Sequence, residues 1–158
     1  DLTFDIRNDG SNGELNTKVS ADFVEKKQLA PQGFDSKELL GRRCVSLDGD
    51  ADRLVFFYFR NEDGKEEPAM RLLDGNKIAA LAASFINEKL NALKKCGVAK
   101  DATIGVVQTA YANGSSTRYL REQGLDVQFA KTGVKHLHVV AHEFDIGIYF
   151  EANGNIFF

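Results

Sequence analysis

The stretch CVSLDGDADRLVFFYFR, residues 44–60, decides the fold of the first half of the chain. An apolar run precedes a short polar turn, and a second run rich in Val, Phe and Tyr follows, which predicts strand, loop and strand. Within the turn, Asp48, Asp50 and Asp52 fall at alternate positions, and Arg53 comes next. Residues two apart in an extended segment project to the same side. The three carboxylates can therefore converge on one point, where they repel each other unless a cation holds them.

The oxygen ligands of this turn suit Mg²⁺ or Ca²⁺. An EF-hand loop starting at Asp48 fails, because Arg53 and Phe59 stand where Gly and Glu are required. A phosphatase of the haloacid dehalogenase type, with Asp48 as nucleophile, is one alternative, although Asp52 stands where that motif has Thr or Val. A solvated acidic turn or a non-catalytic module that binds Mg²⁺ or Ca²⁺ is another. In a third alternative, the loop binds a metal ion, and this ion and the neighbouring Arg53 together hold a phosphate, as in phosphoryl transfer.

Composition restricts the partners of the chain. Its 158 residues are 43% hydrophobic, enough for a real core, and the net charge of −3 comes from interspersed charges. We therefore expect no nucleic-acid partner, and no apolar run reaches the roughly 20 residues that a membrane span needs. Cys44 and Cys96 lack metal-site spacing, which predicts buried thiols in a reducing, cytoplasmic location.

The order of predicted elements indicates an α/β fold with a domain boundary near residue 72. Before it, the patterns predict a strand at LTFDIR, a short helix in SADFVEKKQLA, the hairpin of residues 44–60 and a strand at AMRLLDG. After it, a helix begins at Asp74 and ends before Gly97. Its predicted core face is formed by apolar residues at helical spacing: Ile78, Leu81, Phe85, Leu90 and Leu93.

The remainder alternates strands with helices. Strands are predicted at 103–111, 125–133 and 145–154, with helices at 113–124 and 134–144 between them. Such alternation implies mixed sheets with helices packed on their faces.

Several stretches resemble a known family. The loop DGDADR is similar to the metal-binding loop of the α-D-phosphohexomutase superfamily. The stretches NDGSNGELN, SADFV, VVQTAYANGSSTRYL, KTGVKHLH, EFDIG and YFEANG together resemble the eukaryotic phosphoacetylglucosamine mutases over nearly the whole chain. The resemblance implies a four-domain enzyme that interconverts N-acetylglucosamine 6-phosphate and N-acetylglucosamine 1-phosphate, through a bisphosphate, on the route to UDP-N-acetylglucosamine. Residues 1–71 would form the end of its domain 2, and residues 72–158 most of domain 3.

The resemblance also implies roles for charged residues. Asp48, Asp50 and Asp52 would bind Mg²⁺, which bridges them to a phosphoserine of the first domain. Arg53 would act catalytically by steadying the phosphoryl group. Lys135, in KTGVKHLH at a predicted helix start, would be a second catalytic cation facing the phosphate.

A sugar-binding loop corresponds to EANG. Glu151 and Asn153 would bind hydroxyls of the sugar in both of its orientations, and His136 would be a further substrate contact. His138 and His142 are predicted to be surface or packing residues, because their spacing alone matches no zinc motif.

Two expected motifs are not among these 158 residues: a phosphoserine loop similar to Thr-Ala-Ser-His-Asn-Pro and the arginine-rich loop of the fourth domain. Relatives continue EANG with His-Gly, whereas Asn-Ile-Phe-Phe follows here. The resemblance therefore implies that this chain is inactive alone. Its expected partners are a phosphosugar substrate and the remaining domains of the same polypeptide.

Overall fold

The computed structural model describes residues 3–11, 13–151, 154 and 156–157, of which 156–157 are described by their backbone only. The chain divides into two compact units, Asp1–Asp74 and Gly75–Phe158. In the described part of the chain, no helix combines the length and hydropathy required to cross a membrane.

The first unit is an antiparallel sheet with one helix. Its elements are α1 (Ala21–Lys27), β1 (Cys44–Leu47), β2 (Leu54–Arg60) and β3 (Ala69–Leu73), and the strand order is β1-β2-β3. Helix α1 begins where the Ser20 hydroxyl accepts a hydrogen bond from the Phe23 amide, 3.2 Å away. Both the hairpin and the short helix predicted from the sequence are present.

The core of the first unit lies between α1 and β2. Along β2, buried residues alternate with half-buried ones, so that Val55, Phe57 and Phe59 face Val24 of the helix. The Phe57 ring is 5.5 Å from Phe34 and 5.9 Å from Phe59, measured between ring centroids. These aromatic contacts fix the sheet from which the β1–β2 loop projects.

The strand predicted at LTFDIR is wrong over its described residues, 3–7, which are neither strand nor helix. Side-chain contacts hold this segment instead. The Arg7 guanidinium donates to the Gly33 carbonyl at 2.7 Å, and the Asn8 amide donates to the Gln32 carbonyl at 2.8 Å. Apolar and polar residues alternate along this segment, but alternation alone does not form a strand. Among the described residues, no neighbouring strand pairs with the segment.

The second unit is a mixed sheet between helices. Its elements are α2 (Gly75–Lys95), β4 (Ile104–Thr109), α3 (Gly114–Glu122), β5 (Asp126–Ala130), α4 (Val134–Ala141), β6 (Ile146–Phe150) and β7 (Ile156–Phe157). The order is β5-β4-β6-β7, with β4 parallel to β5 and β6, and β7 antiparallel to β6. The predicted alternation of strands and helices, and the mixed α/β class, are confirmed.

Helices cover both faces of this sheet. Val106 and Ile148 pack toward α2 and α3, while Val107 and Tyr149, their neighbours in the chain, pack toward Leu137 of α4. Strand β4 is therefore buried on both faces, which explains its continuous apolar run. Because β5 and β6 run parallel, they end at the same edge of the sheet, and the residues that follow them meet there.

The predicted core face of α2 is wrong in part. Leu81, Phe85 and Leu93 are exposed, and the buried face carries Ala79 and Ala83 instead. Alanines have no long side chain, so they let the helix lie close to its neighbours.

Cys44 is buried as predicted, but Cys96 is exposed, because it follows the end of α2 outside the core.

Candidate metal loop and sugar loop

The first candidate site is the six-residue loop 48–53 between β1 and β2, here called the aspartate loop. The amide of Asp48 donates to the Arg53 carbonyl at 3.3 Å, which closes the loop at its base, and the Ala51 amide donates to the Asp48 carbonyl at 3.1 Å. Ala51 takes a positive φ of 58°, in the left-handed region. These turns bend the chain so that its acidic side chains gather on one side.

The structure brings together the three aspartates named from the sequence. One carboxylate oxygen from each of Asp48, Asp50 and Asp52 lies within 4.8 Å of the others. Asp48 is buried, whereas Asp50 and Asp52 are exposed, so an ion there would meet protein oxygens on one side and solvent on the other. Three hard oxygen donors with an open side fit Mg²⁺, which keeps several water ligands.

Arg53 positions Asp48. Its backbone amide donates to Asp48 Oδ1 at 3.0 Å, and its Nε donates to Oδ2 at 2.6 Å. The same guanidinium forms an ion pair with Asp22 of α1 and lies 3.5 Å from a carboxylate oxygen of Asp52. Charge-assisted bonds of this kind fix the orientation of a buried carboxylate.

The carboxylates of the loop influence each other's ionisation. Burial raises the pKa of Asp48, but the hydrogen bonds from Arg53 outweigh it and hold that pKa below its ordinary value. The pKa of Asp52 is raised, first by the loss of some of its contact with water, then by its hydrogen bond with Asp48 and by repulsion from Asp50. The single positive charge of Arg53 therefore does not neutralise the three carboxylates of the loop. The remaining negative charge suits a divalent cation.

Sequence reasoning missed two residues that support this loop. Asn16 Oδ1 accepts the Gly49 amide at 2.9 Å, and a Cβ on Gly49 would lie 2.7 Å from Asn16 Nδ2. Asp22 is the second carboxylate partner of Arg53. Asn16 lies in NDGSNGELN and Asp22 in SADFV, two stretches that carry the family resemblance. This resemblance was the one signal in the sequence that could have pointed to the two residues.

The second candidate site lies where β6 ends and α4 begins. The Gly133 amide, just before α4, donates to Glu151 Oε1 at 3.2 Å. Lys135 and His136 follow in the exposed first turn of that helix. The structure thus brings Glu151 to the helix start that carries Lys135 and His136. The predicted contact Asn153 lies outside the described residues.

This second site has the character of an anion- and hydroxyl-binding edge. The helix N-terminus and Lys135 supply positive charge, and a half-buried carboxylate supplies acceptors. It lies where the parallel strands β5 and β6 end, the edge at which α/β sheets commonly bind ligands.

Comparison with known proteins identifies relatives of both units. Residues 74–157 match the family model described as phosphoacetylglucosamine mutase AMG1, domain III. The phosphoacetylglucosamine mutase of Arabidopsis thaliana is 58% identical over 98% of this chain and 27% of its own length. That of Homo sapiens is 52% identical over 98% and 26%.

A crystal structure of Aspergillus fumigatus N-acetylphosphoglucosamine mutase, in complex with GlcNAc-6P and magnesium, is also similar. It matches with a TM-score of 0.78 at 48% identity, covering 89% of this chain and 26% of that one. The chain thus spans about a quarter of the length of these relatives.

Proposed function

The chain belongs to the phosphoacetylglucosamine mutase family, and from this we propose that the full-length protein interconverts N-acetylglucosamine 6-phosphate and N-acetylglucosamine 1-phosphate with Mg²⁺ as cofactor. Residues 1–71 would be the C-terminal part of domain 2, and residues 72–158 most of domain 3. The observation that carries this proposal is the convergence of Asp48, Asp50 and Asp52 within 4.8 Å in a chain of this family.

The aspartate loop would hold the metal. Mg²⁺ bound there would supply positive charge toward the oxygens of the transferred phosphoryl group. Arg53 orients Asp48 through two hydrogen bonds and adds a fixed positive charge beside the phosphoryl group. Because these partners are already in place before substrate arrives, little reorganisation is needed during transfer.

The second candidate site would bind the substrate hydroxyls. The Glu151 carboxylate is oriented by the Gly133 amide, and a carboxylate can accept several hydrogen bonds. Vicinal hydroxyls could thus bind it in either orientation of a bisphosphate intermediate. Lys135 and His136, at the α4 start, would meet the phosphate, and Asn153 would add a second hydroxyl contact.

The phosphatase alternative has less support. Its nucleophile would be Asp48, but Asp52 stands where that phosphatase motif has Thr or Val, and the relatives that this chain matches are mutases. A non-catalytic cation module would share the aspartate loop, yet it gives no reason for Glu151 and Lys135 at the second site.

A direct test uses the full-length protein and an assay for N-acetylglucosamine 1-phosphate formed from the 6-phosphate. Asp50→Asn should abolish turnover, because it removes a ligand charge without changing side-chain size. The matched control is Asp63→Asn, an exposed aspartate in the turn before β3, which should retain turnover. Full activity of Asp50→Asn would remove the metal role, and a phosphoryl group trapped on Asp48 would favour the phosphatase.

The same proposal includes a cytoplasmic location for the full-length protein. The buried, unpaired thiol of Cys44 fits a reducing compartment. Fractionation of cells that express the full-length protein checks this point.

A further inference from the structure

Two histidines at the end of α4 form a cluster that the mutase reaction does not use. His138 Nε2 lies 2.9 Å from His142 Nε2, and His138 Nδ1 lies 2.8 Å from the Tyr149 hydroxyl on β6. The centroids of the two imidazole rings are 4.3 Å apart, and the ring planes are nearly perpendicular. The cluster thus runs from the buried Tyr149 to two exposed histidines at the surface.

We propose that His138 and His142 bind a transition-metal ion of the Zn²⁺, Ni²⁺ or Cu²⁺ class, at a site separate from the aspartate loop. Imidazole nitrogens suit these ions, whereas carboxylates and water suit Mg²⁺. The two sites therefore select different metals by ligand chemistry.

The spacing of the two nitrogens fits chelation. In the square-planar or octahedral coordination of Cu²⁺ and Ni²⁺, metal–nitrogen bonds of about 2.0 to 2.1 Å meet at a right angle and place neighbouring ligand nitrogens about 2.9 Å apart, whereas tetrahedral Zn²⁺ places them about 3.3 Å apart. The separation of 2.9 Å is already present between the two Nε2 atoms. The same separation is that of the hydrogen bond between the two nitrogens, so an ion could bind both once the rings turn to direct their lone pairs at it.

Tyr149 prepares His138 for this role. For Nε2 to present a lone pair to the metal, the ring proton must sit on Nδ1, and there it can donate to the Tyr149 hydroxyl. Metal-binding histidines commonly have such a partner on their other nitrogen. His142 would then shift its ring proton from Nε2 to Nδ1, replacing the histidine–histidine hydrogen bond with two metal bonds.

The surroundings favour a cation at this position. The pair lies at the C-terminal end of α4, where the helix dipole is negative. Both histidines are exposed, so an ion can reach them. In the described part of the chain, no third thiol, carboxylate or imidazole joins the pair, so water would complete the coordination.

The test measures Zn²⁺ and Ni²⁺ binding to the full-length protein by calorimetry, in excess Mg²⁺ so that the aspartate loop is occupied. His142→Asn should weaken the site at least about tenfold, and so should His138→Asn. The matched control is His136→Asn, which removes the one other histidine of this chain and should leave the site intact. Tyr149→Phe should weaken it about tenfold, as loss of an outer-shell partner commonly does.

A spectroscopic readout identifies the ligands. Cu²⁺ bound to the wild type should show electron paramagnetic resonance coupling to two equatorial nitrogens, and His142→Asn should reduce this to one. Because His142 is exposed at a helix end, its substitution should leave the fold intact, which circular dichroism can verify. Equal Zn²⁺ affinity in wild type and His142→Asn, or an unchanged nitrogen count, would overturn the proposal.

Discussion

The Arg53 guanidinium lies between carboxylates from two elements, Asp48 at the end of β1 and Asp22 in α1. Since the Asp48 side chain is fully buried, its charge depends on this partner. Arg53→Met keeps much of the side-chain length but leaves Asp48 with an unpaired buried carboxylate. We expect the free energy of opening of the β1–β2 hairpin to fall by roughly 1 to 3 kcal/mol. Amide hydrogen exchange of the hairpin measures this.

Arg60→Met is the control for that substitution, because Arg60 is exposed at the far end of β2. It should change the same exchange rates by less than about 0.5 kcal/mol. Equal effects of the two substitutions would show that the Arg53–Asp48 pair does not hold the loop.

At this scale the sequence predicted the members of the aspartate loop but not what supports it. The alternation of Asp48, Asp50 and Asp52 is local, so the period of an extended chain was enough to bring them together. Asn16 and Asp22 reach the loop from 33 and 31 residues away. No local period encodes such contacts, because they depend on how α1 and the segment before it pack.

Among the elements, β4, β6 and α4 depend on two glycines that face each other across neighbouring strands, Gly105 and Gly147. A Cβ on Gly147 would lie 2.2 Å from the Ala141 carbonyl oxygen, and backbone cannot move aside as a side chain can. Gly147→Ala should therefore destabilise the second unit by about 2 kcal/mol or more, measured by hydrogen exchange of the β4 and β6 amides.

Gly114→Ala provides the comparison, because a Cβ on Gly114 meets nothing within 4 Å. This residue starts α3, where alanine is the better helix former, so the change should be neutral or stabilising. Destabilisation by Gly114→Ala as large as by Gly147→Ala would contradict the packing explanation.

A second link between β4 and β6 depends on pH. The Asp145 carboxylate accepts the Thr103 amide and hydroxyl, both at 2.8 Å, and these bonds, the amide first, lower the pKa of Asp145. A carboxyl whose pKa is lower in the folded state adds stability above its unfolded pKa of about 3.9, and this contribution is lost as pH falls through the folded pKa. A carboxyl titration by NMR should place the pKa of Asp145 below 3.9.

Thr103→Val should raise that pKa toward the ordinary value, because it removes the hydroxyl donor but keeps the amide. Asp35, whose pKa is lowered by hydrogen bonds from the amides of Glu38 and Lys37, serves as the internal reference, since Thr103→Val removes none of its partners. An unchanged Asp145 pKa in Thr103→Val would show that the hydroxyl bond is not formed.

The elements themselves were more predictable than their orientation. Alternation of strand and helix patterns identified the elements from α2 to β6, because each pattern is local. The buried face of α2 was not predictable in the same way, since Leu81 and Ala83 both fit a helical period. Packing selected the alanine face, because small side chains let neighbouring elements approach closely.

In the whole molecule, each compact unit buries hydrophobic clusters of its own among the described residues, whereas the predicted strand at residues 3–7 is absent. The change from an antiparallel hairpin pattern to alternating strands and helices is visible in the sequence. Whether an apolar segment such as Phe4 and Ile6 joins a sheet depends on a partner strand, which no pattern within the segment specifies. Both side chains are exposed here.

Because the two units have separate cores, a core substitution in either unit should leave the other unit folded. Phe57 is 1% exposed in the core of the first unit, and Leu120 is fully buried in that of the second. Because each unit contains its own core, Phe57→Ala should lower the protection of amides in β1 to β3, by about 3 to 5 kcal/mol, and leave β4 to β6 protected. Leu120→Ala should do the reverse. Peptide-resolved hydrogen exchange of the full-length protein measures the protection of both units in each variant. If either substitution reduced protection in both units, the two cores would unfold as one.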